Sequence, residues 1–296
     1  MKKSISLLLI VFSVLFFAQK NSLKKEISKI TEGKKATVAV SVLGIDFPFQ
    51  YNNNNAEKKL PMQSVFKYHI ALAVLDLVDQ GKLSLDQKVF IKKSELLPNT
   101  WSPIREKNPE GNFEMPISEL IEYTVAMSDN VGCDVLLRLI GGPKVVHDFL
   151  ISKGAKDTQI VYNEEIMQSA WKNQYENYTT MKSATRLLKD FYKGKILSKK
   201  STEFLMGVLY RTSTGLNKIV EQLPKSAKVA HKTGSSGKNN EGLTGAENDI
   251  AIITLPNGKT YAIAIFVSDS METWEVNCKM ISDISKVVFE NLSNPN

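Results

Sequence analysis

Strand-like segments at the two ends of the chain enclose a long middle stretch with helical periodicity. Near the N-terminus, TVAVSVLGIDFPFQYN (37–52) predicts two strands joined by a tight turn near Gly44. Near the C-terminus, AKVAHKTG (227–234), NDIAIITLP (248–256) and KTYAIAIFVSD (259–269) predict three more strands. We therefore predict an α/β (α+β) fold, in which one antiparallel sheet is built from both termini and flanked by helices.

The middle of the chain predicts helices at four segments, at residues 60–78, 117–142, 141–154 and 180–194. We expect this stretch to form an inserted all-helical domain of residues 59–209. The α/β domain would then comprise residues 19–58 and 210–296. Clefts between two such lobes are usual ligand sites.

The first 18 residues predict a secretory signal peptide. Lys2 and Lys3 precede an apolar run that is too short for a good membrane span and ends at a small residue, Ala18. We place cleavage after Ala18, although Phe16 stands where a small residue is usual. The protein is expected to be exported to a periplasm, without stable membrane insertion.

Charge and metal-binding residue types exclude several function classes. The formal net charge is +7, and removal of Lys2 and Lys3 changes it from 38 − 31 to 36 − 31, or +5. The lysines are scattered, which disfavours nucleic-acid binding and suits an anionic small substrate. The three histidines are far apart and form no zinc motif, so we expect no metal and no cofactor. A monomer is the expected oligomeric state.

The chain has two cysteines, Cys133 and Cys278. An exported protein could join them in a disulfide. Each lies in a segment that looks helical, so two buried free thiols are the favoured interpretation.

Ser64 and Lys67 stand three residues apart at the start of the first helical segment. Residues at this spacing lie on one face of a helix, so the two side chains are expected to touch. A lysine held away from water gives up its proton more readily and could activate a serine hydroxyl as a nucleophile. The motif alone is weak, because Ser-x-x-Lys also begins at Ser22, Ser169 and Ser235.

Two further motifs follow along the chain. The tripeptide SDN (128–130) lies inside a helix-like segment, where Asp and Asn are unusual. The tripeptide KTG (232–234) ends a predicted strand and is the only Lys-Thr/Ser-Gly in the chain. Each alone could be structural, the first as a helix interruption and the second as a strand entering a turn. The three motifs in this order are improbable by chance.

With these motifs the chain resembles the class A serine β-lactamases and, more distantly, the penicillin-binding proteins. The resemblance covers essentially the whole chain after the signal peptide. Three stretches are most similar to the PER-type extended-spectrum branch: LLPNTWSP (96–103), NEEIM…QYENYT (163–179) and KTGSSG (232–237). The resemblance implies hydrolysis of penicillins and cephalosporins through an acyl-enzyme, and hence antibiotic resistance.

The resemblance also implies a role for each motif residue. Ser64 would be the nucleophile, Lys67 would receive or relay its proton, and Ser128 would carry a proton to the lactam nitrogen. Lys232 would hold the substrate carboxylate together with Thr233. The remaining implied substrate contacts are the Asn130 side chain for the acylamide, Gly234 within the KTG motif, the backbone N–H of Ser235 (with that of Ser64) for the oxyanion, and Trp101 as an aromatic wall.

A β-lactamase also needs a base that activates water against the acyl-enzyme, in this family a glutamate in a Glu-x-x-Leu-Asn pattern. Glu164 has the matching spacing, with Met167 for Leu and Gln168 for Asn. Glu165 would put Gln168 where the apolar residue belongs, so Glu164 is the favoured base. Gln168 is longer than the usual Asn, which affects the geometry of deacylation.

Two further departures from the family pattern concern charge. The Arg–Asp pair that often closes the neck of this loop is replaced by Tyr162 and Asn177, which favours a roomier cleft and bulky oxyimino-cephalosporins. The basic residue for the substrate carboxylate is missing from the strand at 248–256. Lys218 is the first candidate to replace it and Arg211 the second, and both could equally be solvated charges.

Two other functions share the acylation motifs. A DD-peptidase would act on cell-wall peptides, and a β-lactam sensor would be acylated without turnover. Glu164 and the lack of a membrane span beyond the signal peptide argue against both. Sustained turnover is the observation that separates the three.

Overall fold

The computed structural model describes residues 19–293, so the predicted signal peptide and its cleavage site lie outside the described residues. Five strands form one antiparallel sheet in the order β2-β1-β10-β9-β8. The strands of the described residues are β1 (Thr37–Gly44), β2 (Gln50–Asn52), β3 (Leu60–Pro61), β4 (Lys88–Ile91), β5 (Phe113–Pro116), β6 (Thr158–Gln159), β7 (Tyr178–Thr179), β8 (Lys228–Ser235), β9 (Thr244–Thr254) and β10 (Thr260–Ser270).

Helices cover both faces of the five-stranded sheet. The α-helices of the described residues are α1 (19–31), α2 (Phe66–Asp79), α3 (Pro103–Lys107), α4 (Ile117–Ala126), α5 (Asn130–Ile140), α6 (Pro143–Ser152), α7 (Glu164–Ser169), α8 (Met181–Tyr192), α9 (Lys199–Tyr210) and α10 (Trp274–Ser293). The predicted α/β fold, with a sheet drawn from both ends of the chain, is confirmed.

Alternation along the strands explains the two sides of the sheet. On β10, Ile263 and Ile265 pack in a cluster that also contains residues of α1 and α10. Their neighbours Ala264 and Phe266 pack in the second cluster, which continues into the helices of the middle region. Successive side chains of a strand point to opposite faces, so β10 is covered on both.

Helix α2 runs through the centre of the middle region. Residues 66–75 of α2 are all buried, and the helix contacts α4, α5, α6 and α9. The region also contains short strands that were not predicted, arranged as β3-β7-β6 and β4-β5. Strands of two to four residues are too short to give a clear alternation signal.

The segment 117–142 was predicted to be helical, with a helix interruption at SDN (128–130) as the alternative, and the structure shows the interruption. Helix α4 ends at Ala126 and α5 begins at Asn130. Ser128 has φ +59°, a left-handed conformation that a helix interior does not accommodate. The Asp129 side chain accepts a hydrogen bond from the Gly132 N–H and caps α5.

Cys133 and Cys278 are both free and buried, as favoured from the sequence. Between residues 19 and 293 no helix is long and apolar enough to span a bilayer. The same residues contain no group of three or more His, Cys, Asp or Glu side chains that could hold a metal ion.

Candidate active site

Three elements bring the motif residues together at one cleft of about 520 Å³. Ser64 lies on a 3-10 turn, Gln63–Val65, that leads into α2. Ser128 lies in the link between α4 and α5, and Thr233 lies near the end of β8. The left-handed conformations of Gln63 (φ +47°) and Ser128 (φ +59°) are strained backbone positions of the kind that cluster at functional sites.

Lys67 is fully buried, and its ammonium group contacts several residues of the cleft. Its Nζ donates to Ser64 Oγ (2.9 Å), to the Ser128 carbonyl (2.8 Å) and to Asn130 Oδ1. It also forms an ion pair with Glu164 Oε1 at 2.8 Å. A buried lysine requires partners of this kind, and here one of them is the hydroxyl of Ser64.

Glu164 is buried and faces Ser64, whereas its neighbour Glu165 is exposed. Glu164 Oε1 lies 3.5 Å from Ser64 Oγ. The other carboxylate oxygen, Oε2, accepts a hydrogen bond from Gln168 Nε2 at 3.0 Å. The structure therefore brings Glu164 and Gln168, but not Glu165, to the cleft.

Asp134 on α5 holds the start of α7 and thereby places Glu164. The Asp134 carboxylate accepts hydrogen bonds from the Glu164 N–H (2.7 Å), the Glu165 N–H (3.0 Å) and Asn163 Nδ2 (3.1 Å). Burial raises the pKa of Asp134 to about 7, although the two backbone donors act in the opposite direction. Asp134 was not among the predicted site residues, and no sequence motif pointed to it.

The neck of the loop that carries α7 is closed by an amide. Asn177 is fully buried. Its Oδ1 accepts hydrogen bonds from the N–H groups of Val161 (2.8 Å) and Tyr162 (3.0 Å), and its Nδ2 donates to the Tyr162 carbonyl (2.8 Å). Tyr162 and Asn177 therefore meet at the neck through hydrogen bonds and not through an ion pair.

Lys232 is fully buried beside Ser128. Its Nζ donates to Ser128 Oγ at 3.0 Å and to the Thr233 carbonyl at 2.8 Å. Burial, and then the positive charges of Lys67 and Lys218, hold the pKa of Lys232 well below its usual range. An anion bound next to Lys232 would favour its protonated form.

Gly234 is the point where β8 touches the turn that carries Ser64. A Cβ added at Gly234 would lie 2.5 Å from the Met62 carbonyl oxygen and 3.1 Å from the Ser64 nitrogen. Only glycine allows this approach. The next residue, Ser235, is thereby held at the cleft next to Ser64.

Lys218 lines the cleft and has an acidic partner, Glu247, that was not predicted. Lys218 Nζ lies 2.7 Å from Glu247 Oε2, and both side chains are buried. Glu247 and Asp249 stand two residues apart on β9, so their side chains lie on the same face of the strand. This pattern could have indicated a buried carboxylate here. The second candidate, Arg211, forms an exposed ion pair with Glu122 at 2.7 Å.

Two tryptophans stand at the mouth of the cleft. Trp101, which was expected there, is 55% exposed and donates its indole N–H to the Met127 carbonyl at 2.9 Å. Trp274, at the start of α10, also lines the cleft and is 51% exposed. No sequence motif pointed to Trp274.

Comparison with known proteins identifies the family. A model described as the β-lactamase enzyme family matches residues 22–292. The chain is similar to β-lactamase VEB-1 of Pseudomonas aeruginosa, with 43% identity over 99% of each chain. It is also similar to extended-spectrum β-lactamase PER-1 of the same organism, with 42% identity over 92% of this chain and 88% of the relative.

The fold gives the same result. The solved structure of TLA-3 extended-spectrum β-lactamase superposes with a TM-score of 0.91 and 50% identity, covering 93% of this chain and all of the other. A class A β-lactamase from Bacteroides cellulosilyticus superposes with a TM-score of 0.88 and 38% identity over 93% and 98% of the two chains. The chain that carries this serine–lysine–glutamate cleft therefore belongs to the β-lactamase enzyme family, as a class A serine β-lactamase.

Proposed function

We propose that this β-lactamase opens the ring of penicillins and cephalosporins through an acyl-enzyme on Ser64. One observation carries the proposal: the Ser64 hydroxyl lies 2.9 Å from Lys67 Nζ and 3.5 Å from Glu164 Oε1. A nucleophile and its base within hydrogen-bond reach is the arrangement that covalent acyl transfer requires.

Acylation begins with attack of Ser64 Oγ on the lactam carbonyl. The proton of Ser64 leaves to Lys67 Nζ, once the Lys67 ammonium group has passed a proton to Glu164, or it leaves through a water to Glu164. Ser128 then delivers a proton to the lactam nitrogen, with Lys232 Nζ beside its hydroxyl at 3.0 Å. The backbone N–H groups of Ser64 and Ser235 stabilise the oxyanion, and loss of one such donor costs about 3 kcal/mol.

Substrate binding uses the groups around the nucleophile. Lys232 and Thr233 hold the carboxylate. Asn130 binds the acylamide of the substrate through its side-chain amide, whose Nδ2 donates to Thr100 Oγ1 (2.6 Å) in this structure. Trp101 forms the wall at the mouth. These interactions position the lactam carbonyl against Ser64 Oγ, which lowers the entropic cost of the reaction.

Deacylation needs a water activated by Glu164. Gln168 fixes the Glu164 carboxylate through Oε2, which leaves Oε1 directed toward Ser64. A water bound between Glu164 and the acyl carbonyl would lose its proton to Glu164 as it attacks. Hydrolysis then frees Ser64 for another turnover.

We include oxyimino-cephalosporins among the substrates. Two observations support this: the relative PER-1 is named an extended-spectrum enzyme, and the loop neck is closed by an amide at Asn177 and not by an ion pair. We also propose export to the periplasm, from the signal-peptide pattern ending at Ala18. The mature N-terminus is then Gln19, which intact-mass measurement of the exported protein checks.

The test is hydrolysis of a chromogenic cephalosporin by the mature protein and by two matched variants. Glu164→Gln should leave a one-equivalent burst and a stable acyl adduct on Ser64 by mass spectrometry. Glu165→Gln, at the exposed neighbouring position, should turn over like the parent. If the parent itself stops after one equivalent, the peptidase or sensor function replaces β-lactam hydrolysis.

A further inference from the structure

We propose that Glu247 is a positioning residue that neutralises Lys218, so that Lys232 is the lysine that receives the substrate carboxylate. This inference rests on the proposed β-lactam hydrolysis. It assigns to Glu247, which does not line the cleft, the role of compensating the charge of Lys218. Glu247 lies on β9, directly behind Lys218 as seen from the cleft.

Lys218 is held from several sides. Besides the ion pair with Glu247, its Nζ donates to the carbonyls of Gly234 (3.1 Å) and Asn248 (3.2 Å) and to Ser235 Oγ (3.0 Å). The side chain is only 2% exposed. A cation with four partners in place has little freedom to turn toward a ligand, and its charge is already compensated.

The three lysines that converge on the cleft differ in their counter-charges. Lys67 pairs with Glu164 at 2.8 Å, and Lys218 pairs with Glu247 at 2.7 Å. Across residues 19–293, the contacts of Lys232 Nζ are to uncharged oxygens, those of Ser128 and Thr233. Lys232 is therefore the one of these three lysines without a carboxylate partner, and an anionic substrate group would supply that partner and favour its protonated form.

Ser235 joins the ion pair to the catalytic strand. Its hydroxyl accepts from Lys218 Nζ (3.0 Å) and donates to Glu247 Oε2 (3.0 Å). The hydrogen bonds of the Ser235 hydroxyl are thus used by the ion pair beneath the cleft. The Thr233 hydroxyl, by contrast, lies at the cleft surface, with its Oγ1 2.8 Å from Thr214 Oγ1. Glu247 therefore also fixes the strand position from which the Ser235 N–H faces the oxyanion.

The experiment compares a cephalosporin that carries its free carboxylate with the methyl ester of the same compound. The ratio of their kcat/KM values measures carboxylate recognition and cancels effects on the chemical steps. It is measured at low and high salt for the parent protein, Lys218→Met, Glu247→Gln and the double variant. A purely structural role would lower both kcat/KM values together and leave the ratio unchanged.

In Lys218→Met an uncompensated carboxylate remains near the anion, so the acid-to-ester ratio should fall about tenfold. In Glu247→Gln an uncompensated lysine remains, so the ratio should rise severalfold and become more sensitive to salt. The double variant, which is again neutral at this position, should return to within about threefold of the parent.

A double variant whose ratio falls about tenfold below that of the parent would overturn the proposal, because Lys218 would then be a direct receptor of the carboxylate. This comparison decides the question even where an unpaired buried charge prevents a single variant from folding. Failure of the proposed function has a different result, since the parent protein would then turn over neither compound.

Discussion

Replacing Asn177 by alanine should open the loop that carries Glu164. The Asn177 amide makes three hydrogen bonds to the backbone of Val161 and Tyr162, at 2.8 to 3.0 Å, from a fully buried position. Alanine leaves two N–H groups and one carbonyl of the neck without these partners. Because Glu164 lies at the N-terminus of α7 on the same loop, its position depends on this neck.

The expected loss of stability follows from the number of bonds. A buried backbone group left without a partner costs about 1–3 kcal/mol, so three groups predict a loss of roughly 4 kcal/mol after some water enters. For a domain of this size, 1 kcal/mol lowers Tm by about 2–4 °C. Asn177→Ala should therefore melt about 10 °C below the parent protein.

Asn173→Ala is the matched control on the same loop. Asn173 Nδ2 donates to the Ile166 carbonyl (2.7 Å) and to Ser169 Oγ (3.2 Å) near the surface. Loss of these solvent-accessible bonds should cost less than about 1 kcal/mol. Thermal melting, followed by circular dichroism, compares the two variants, and hydrogen exchange of residues 160–177 reports on the loop itself.

Deacylation should be slowed more than acylation, because in acylation Lys67 can also take the proton of Ser64. Ser64, Lys67 and Ser128 lie on elements outside the loop, so Asn177→Ala should still acylate but accumulate the acyl-enzyme. The reasoning fails if Asn177→Ala melts within about 1 °C of the parent and its loop exchanges no faster. It also fails if acylation and deacylation slow by the same factor.

Two further predictions concern the same loop. Gln168→Ala removes the Gln168–Glu164 hydrogen bond of 3.0 Å. Deacylation should therefore slow about tenfold, while the acylation rate measured by stopped-flow changes little. Equal slowing of the two steps would refute a role of Gln168 through Glu164. Burial raises the pKa of Asp134 to about 7, above its unfolded value of about 4. The stability that Asp134 contributes is therefore present at low pH and is lost as pH rises through 7. The Tm of the parent relative to Asp134→Asn should fall from pH 5 to pH 8, and a constant difference would contradict the raised pKa.

The parts of the fold and site that could be predicted depend on local signals. The strand predicted at 259–269 was found because Ile263, Ile265 and Val267 alternate along it, and the structure has this strand at Thr260–Ser270. Glu164 was distinguished from Glu165 by the residue three positions on: Met167 is buried while Glu164 faces Ser64. One turn of helix fixes that relation, so matching the family's Glu-x-x-Leu-Asn pattern predicted which glutamate enters the cleft.

The parts that were missed depend on tertiary contacts. Helical residue types continue on both sides of Ser128. Asp129 and Asn130 allowed an interruption there, but nothing in the sequence indicated the left-handed conformation of Ser128. The partner of Lys218 lies 29 residues further along the chain. It is set by where β9 pairs with β8, since Ser235 stands opposite Glu247 in that register. Residue spacing in the sequence cannot supply such a register.

The loop that carries Glu164 is held at its two ends by different chemistry, and the difference bears on the reaction. At the neck, the neutral amide of Asn177 both accepts and donates, so its hydrogen bonds do not depend on pH. At α7, the Asp134 carboxylate only accepts, and its donors include the Glu164 N–H itself. A carboxylate that gains a proton would turn one acceptor into a donor facing these N–H groups. Of the two attachments, Asp134 therefore couples the position of the Glu164 backbone to the protonation of a neighbouring side chain, whereas Asn177 sets the closure of the loop alone.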